Sequence, residues 1–347
     1  MTMPQYGAPQ QDLYRTDDAP SGVYLRIGVT VGLYAVAAAG WIGYEVDSRG
    51  ADGGDFFTAL YDPRIPFIPY AQTPQDWALI TAALVFGGIA VARRRVARGA
   101  LMFLAVMLIA LSLRELVGLA VSSDYRAVLE RSEYGQLLIG FRMLGLLVGA
   151  ATLIAMTRAG RRPVIPRSYA SPHAPYDAPY GAQYGTPYNA PRPMPTPVRP
   201  QFAAAGICLL LSGAVTTAWV IYRLTRDQVF LVGGSPDAGV GGFFRDVVDA
   251  SYSTSIPYSF HTVAFALAPL LVGAVLLAGR PAGRGAGLAL AFVLLYLDGR
   301  GLYSYVADGA IEQYFDSTLG TLVVLSTICT AVLSLVTIAV LLSAEEA

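Results

Sequence analysis

Eight apolar stretches, each close to the length that crosses a bilayer, dominate this chain. They lie at about 23–45, 77–93, 99–121, 136–157, 202–224, 259–279, 285–306 and 318–343. A helix needs about 20 apolar residues to span a hydrocarbon core of roughly 30 Å. Lipid satisfies no backbone donor or acceptor, and the stretches lack the alternation of a barrel strand, so helix is the conformation open to them. Composition agrees: 54% of residues are hydrophobic and 14% charged, against about 25% charged in a soluble globule. The expected fold is all-α and integral to the membrane. The first stretch contains Ala37, Ala38 and Ala39, which resemble a cleavage site. Asp17 and Asp18 precede it instead of a basic cluster, so it reads as a span and not as a signal peptide.

The second half of the chain echoes the first. Trp41 and Tyr44 close the first stretch as Trp219 and Tyr222 close the fifth. Phe56-Phe57 then answers to Phe243-Phe244, Ile68-Pro69-Tyr70 to Ile256-Pro257-Tyr258, Arg98-Gly99-Ala100 to Arg284-Gly285-Ala286, and Arg114 to Arg300. After the first pair the offset stays near 187 residues. Matches in order at a steady period mark a repeat. The expected organisation is an N-terminus of 1–22, a four-helix unit of 23–157, a linker of 158–200, a second four-helix unit of 201–343 and a tail of 344–347.

Arginine placement sets the expected sidedness. All 24 basic residues are arginine. Arg93, Arg94, Arg95 and Arg98 lie between the second and third spans, Arg280 and Arg284 between the sixth and seventh. Arg158, Arg161, Arg162, Arg167, Arg192 and Arg199 lie in or beside the linker. These segments fall on one side of an eight-span chain, which the excess of arginine makes the cytoplasmic side. The other loops lean acidic, with Glu45, Asp47, Asp52, Asp55 and Asp62 in the first and Asp308, Glu312 and Asp316 in the last. Both termini are then cytoplasmic. Four crossings per unit give the units one orientation, so they are parallel repeats about an axis along the membrane normal. The expected location is the plasma (cytoplasmic) membrane.

The linker is rich in proline and carries Tyr169, Tyr176, Tyr180, Tyr184 and Tyr188. Such a composition cannot bury a core and is expected to stay extended. It suits a tether or a docking strip for a cytoplasmic protein, since Pro-rich segments lose little entropy on binding. In the large exterior loops Phe56, Phe57, Phe243 and Phe244, with His261 at the mouth of the sixth span, are the expected interfacial rim, an aromatic belt or a lid.

Five charges fall inside spans at a similar depth: Arg114, Glu115, Arg142, Asp298 and Arg300. A charge at a helix centre costs about 2.5–3.5 kcal/mol on insertion scales, and less off-centre. Five together call for a paired or polar setting, so they are expected to face inward. One use is structural: Asp298 paired with Arg114, and Glu115 with Arg300 or Arg142. The other is an outward-facing pocket whose surplus of arginine suits an anionic group. Gly28 with Gly32, and Gly145 with Gly149, have the spacing of close helix approach, and Pro269 is a candidate kink.

Several classes are disfavoured. The net charge is zero and no basic stripe is present, so no nucleic-acid partner is expected. Without lysine there is no Schiff-base chemistry. Cys208 and Cys329 are expected to be buried hydrophobes, forming neither a disulfide framework nor a zinc site. P-loop, HExxH, GxSxG and CxxC motifs are absent. The two histidines cannot supply a bis-histidine haem bundle. No cofactor, metal or enzymatic activity is expected. The leading expectation is a non-enzymatic membrane scaffold or accessory subunit, with membrane lipids, a cytoplasmic protein and a second membrane protein as partners. The alternative is a transporter or channel for a small anionic or amphipathic solute.

Overall fold

A computed structural model describes residues 21–48, 53–62, 74–92, 96–121, parts of 123–130, 135–159, 199–225, 258–307 and 311–344. Its helices are α1 (Ser21–Ser48), α2 (Gly53–Tyr61), α3 (Pro74–Val91), α4 (Val96–Val121), α5 (Gly135–Ala159), α6 (Pro200–Thr225), α7 (Tyr258–Leu277), α8 (Pro281–Ala307), α9 (Ile311–Phe315) and α10 (Thr318–Ser343). No strand occurs among the described residues. Eight of these helices are long and apolar enough to cross a membrane: α1, α3, α4, α5, α6, α7, α8 and α10. They coincide with the eight stretches read from the sequence. The N-terminal segment, most of the linker and the segment holding Phe243 and Phe244 lie outside the described residues.

Local chemistry marks the helix ends. Pro74, Pro200 and Pro281 each open a helix, where a missing N–H is harmless and the fixed φ is already helical. Ser317 caps α10, its side chain accepting from Gly320 N at 3.0 Å. Gly279 turns the chain from α7 to α8 at a φ of 65°, a left-handed conformation that glycine adopts without strain. Arg98 Nε donates to Met156 O, and Arg284 Nε to Leu341 O, each at 3.1 Å. Both carbonyls lie in the last turns of their helices, α5 and α10, where cations are stabilised. Pro269 sits inside α7, and the helix continues through it to Leu277.

The first four spanning helices form a ring, α1 on α3, α3 on α4, α4 on α5 and α5 on α1. The last four do likewise, α6 on α7, α7 on α8, α8 on α10 and α10 on α6. The two rings meet where α8 lies along α4 and α3. Leu101 and Leu104 of α4 and Leu290 and Val293 of α8 are buried in one continuous apolar core. Large apolar side chains such as Leu33, Leu147, Leu271 and Val306 are more than 60% exposed, and such broad apolar surface is what lipid covers.

Glycines set the closest crossings. A Cβ at Gly28 would stand 2.7 Å from Gly87 O, and one at Gly206 2.9 Å from Gly273 O. At the seam, a Cβ at Gly99 would overlap Ala282 O, and one at Gly285 would overlap Val96 O. Of the two spaced pairs in the sequence, Gly28, Gly145 and Gly149 pack closely, whereas a Cβ at Gly32 would meet nothing. Cys329 is exposed and Cys208 half-buried. This corrects the expectation of two buried cysteines: Cys329 lies on an outward, lipid-side position of α10, where an apolar thiol is equally at home.

Candidate functional site

All five intramembrane charges are buried or half-buried. Arg114 and Glu115 are brought together: Arg114 Nη1 lies 3.1 Å from Glu115 Oε1, with side chains only 4% and 14% exposed. The Arg114 guanidinium also stands 5.9 Å from the centre of the Phe260 ring, a cation–π distance. It thus reaches from α4 to α7. Beside it, His261 is 2% exposed, edge-on to Phe260 at 5.9 Å and stacked on Phe265 at 6.4 Å. His261, an expected rim residue, is thus buried. It sits within the first turn of α7, and Phe265 follows four positions later on the same helix face.

Arg142 lies on α5. It lines a cavity of about 30 Å³ inside the first four-helix ring, together with Tyr34, Asp76 and Phe141 among mostly apolar residues. Tyr34 stacks on Phe141 at 5.1 Å. A water needs about 10–15 Å³ by this kind of measure, so the space is on the scale of one or two waters. Asp76, 7% exposed, was not singled out by sequence because it lies just outside the apolar run. Its signal was Pro74 two residues before it: an acid in the first turn of a helix is stabilised by the dipole.

Arg300 clasps an exterior element. Its Nε and Nη2 donate to Ala59 O at 3.3 and 3.2 Å. One turn earlier on α8, Tyr296 Oη donates to Leu60 O at 2.7 Å. Tyr303 meets Tyr61 edge-on at 5.5 Å. Ala59 and Leu60 end α2, so these donors satisfy carbonyls that the helix leaves open. The loop helix of the first ring is therefore fastened to α8 of the second. Arg300→Ala is expected to destabilise the fold by about 2 kcal/mol, the scale of hydrogen bonds from a charged donor. It should also release α2, read as faster proteolysis between Gly53 and Tyr61. Lysine cannot restore the two-nitrogen grip.

Asp298 lies beside the Thr330 hydroxyl of α10. Of the expected rim, Phe57 is 66% exposed; the Phe56 side chain, Phe243 and Phe244 lie outside the described residues. Among the described residues no group of three or more His, Cys, Asp or Glu side chains is placed to hold a metal.

Comparison with protein-family models, curated proteins and solved structures found no match. The fold itself defines the class: eight long apolar helices fit a polytopic membrane protein.

Proposed function

We propose that the chain is a fused pair of parallel four-helix repeats acting as a non-enzymatic scaffold or accessory subunit of a membrane complex. Support for the repeat comes from contacts that occur twice. Arg98 on Met156 O matches Arg284 on Leu341 O. Gly28 on Gly87 matches Gly206 on Gly273. The Trp41–Tyr44 ring pair at 6.0 Å matches Trp219–Tyr222 at 5.6 Å. At the seam the relation is reciprocal, Gly99 against Ala282 and Gly285 against Val96, the pattern of a two-fold interface. With Arg98, Arg158, Arg199, Arg280 and Arg284 gathered at one side, that side is read as cytoplasmic, termini and linker included.

The observation that carries the scaffold reading is the seam. Gly99 and Gly285 bring α4 and α8 to backbone contact, so the place where two like units would open a pathway is closed at that end. The intramembrane charges fasten elements to one another: Arg114 to Glu115 and Phe260, Arg300 to α2. A transporter for an anionic or amphipathic solute, the alternative, needs a solute-sized space, and the cavity beside Arg142 is about 30 Å³. The Pro/Tyr-rich linker is the docking strip for a cytoplasmic partner, and the lipid-side helices offer a face to a membrane-protein partner. The membrane is the plasma membrane.

The test is affinity capture of tagged full-length protein after mild solubilisation, beside a variant lacking residues 165–195. A stoichiometric partner that is lost with the linker is the expected result. A solitary protein, together with solute-dependent flux in reconstituted vesicles, would overturn the scaffold reading in favour of transport.

A further inference from the structure

The second four-helix ring contains a column of polar groups that the clasp and the Arg114–Glu115 pair do not use. On α10, Ser326, Thr330, Ser334 and Thr337 recur at helical spacing. Thr330, Ser334 and Thr337 are 7%, 1% and 0% exposed, and Ser212 of α6 is 1% exposed. Most of these hydroxyls have partners: Thr330 Oγ1 donates to Ser326 O and Thr337 Oγ1 to Leu333 O, while Ser326 Oγ accepts from Trp219 Nε1. Three oxygens have none. Ser212 Oγ, Ser334 Oγ and Asp298 Oδ2 are buried without a hydrogen-bond partner. A buried polar atom left unsatisfied costs about 1–3 kcal/mol. Thr217 Oγ1 of α6 is likewise unpartnered, but it lies some 140° round the helix from Ser212, so three such oxygens remain on the inner column.

The helix register sets the three within about one turn of one another along the bundle. Helices α6 and α10 run antiparallel, with Trp219 on Ser326 at one level and Cys208 beside Thr337 at another. Between these levels, Ser212 falls opposite Ser334. Helices α8 and α10 are likewise antiparallel, with Asp298 beside Thr330 and Arg284 on Leu341 O. Ser334 is therefore one turn from the Asp298 level, about 6 Å along the axis. Side chains on a helix lean toward its N-terminus. On antiparallel neighbours Asp298 leans toward Ser334, and Ser334 leans back toward Asp298. Arg300, two positions on, projects some 200° round the helix, where it holds Ala59.

We infer that Asp298, Ser334, Thr330 and Ser212 form a binding site for a small monovalent cation of the sodium class. One carboxylate among neutral oxygens matches a single positive charge. A divalent ion draws more carboxylates and a larger oxygen shell. The cation also removes the cost of an acid ionised within the membrane. In the first ring the position matching Asp298 in the repeat is Ser112, and Tyr34 stacks on Phe141 beside the small cavity. The site therefore belongs to one unit only and does not depend on the scaffold reading.

The test is the thermal midpoint of purified full-length protein in sodium chloride against choline chloride, at fixed pH and ionic strength. The expected result is a saturable rise of about 5 °C in sodium, the scale for a ligand well above its Kd. Asp298→Asn should abolish the rise and Ser334→Ala should weaken the apparent affinity at least tenfold. Thr330→Val, which keeps volume, serves the same comparison if Asp298→Asn does not fold. A midpoint indifferent to sodium would mean that water or a proton alone fills the space. That outcome, or a sodium response intact in all three variants, overturns the proposal.

Discussion

Leucine at Gly99 is expected to abolish recovery of folded, monodisperse protein, and leucine at Gly285 to do the same. Even the first added carbon at either position would overlap a backbone carbonyl, Ala282 O or Val96 O. A flexible side chain can move aside; a carbonyl moves only with its helix. Overpacking a tight interior costs about 1–3 kcal/mol for extra methylenes, occasionally more. Here the displacement is of a whole helix at the junction of both rings, so the upper end or beyond is expected. Alanine at the same sites should lower the thermal midpoint measurably but leave some protein folded. The control is Gly88→Leu, since a Cβ there would meet nothing within 4 Å; its effect should stay within about 0.5 kcal/mol. Size-exclusion profiles and thermal midpoints of the variants check the contrast. Equal tolerance at Gly88 and Gly99 would remove the seam from the account.

The second large effect concerns Glu115. Its removal leaves Arg114, with a side chain 4% exposed, as a buried charge that has lost its neighbouring carboxylate. Breaking a buried pair in this way costs about 3–5 kcal/mol, whereas replacing both members by apolar residues is often neutral or stabilising. Glu115→Ala is therefore expected to be severely destabilising, and the double variant Arg114→Leu, Glu115→Leu to recover most of the loss. Chemical unfolding in detergent measures both. Recovery of stability in the double variant with partner capture intact marks the pair as a fastening device. Loss of capture in a stable double variant would make the arginine part of a binding surface.

Hydrophobic length made the helices legible. The bilayer imposes one requirement on each span, and all eight stretches meet it without help from tertiary contacts. The glycine crossings were half legible. Gly28 announced itself by spacing, but Gly87, Gly206, Gly273, Gly99 and Gly285 were not picked out as crossing points. Their partners lie on other helices, and spacing within one helix says nothing about which face meets a neighbour. The charges were legible one by one, as ionisable residues inside apolar runs. Depth along a span is readable from the 1.5 Å rise, but azimuth relative to other helices is not. Arg300 went to the end of α2 and Arg142 to the wall shared with Tyr34 and Asp76. The hydroxyls of α10 were passed over because serine and threonine are tolerated in spans by bonding to their own helix. Ser334, like Ser212 of α6, stands out by not bonding, and that is a property of the fold.

The arrangement of two parallel units rests on an even number of crossings before the linker and an even number after it. Single cysteines placed in turn near residue 10, within 165–195, within 226–240 and at residue 346, in a background lacking Cys208 and Cys329, test this directly with a membrane-impermeant thiol reagent on intact cells. Labelling of the 226–240 position alone, with the other three protected until the cells are opened, is the predicted result. A linker cysteine labelled from outside while the N-terminal one is protected would contradict it.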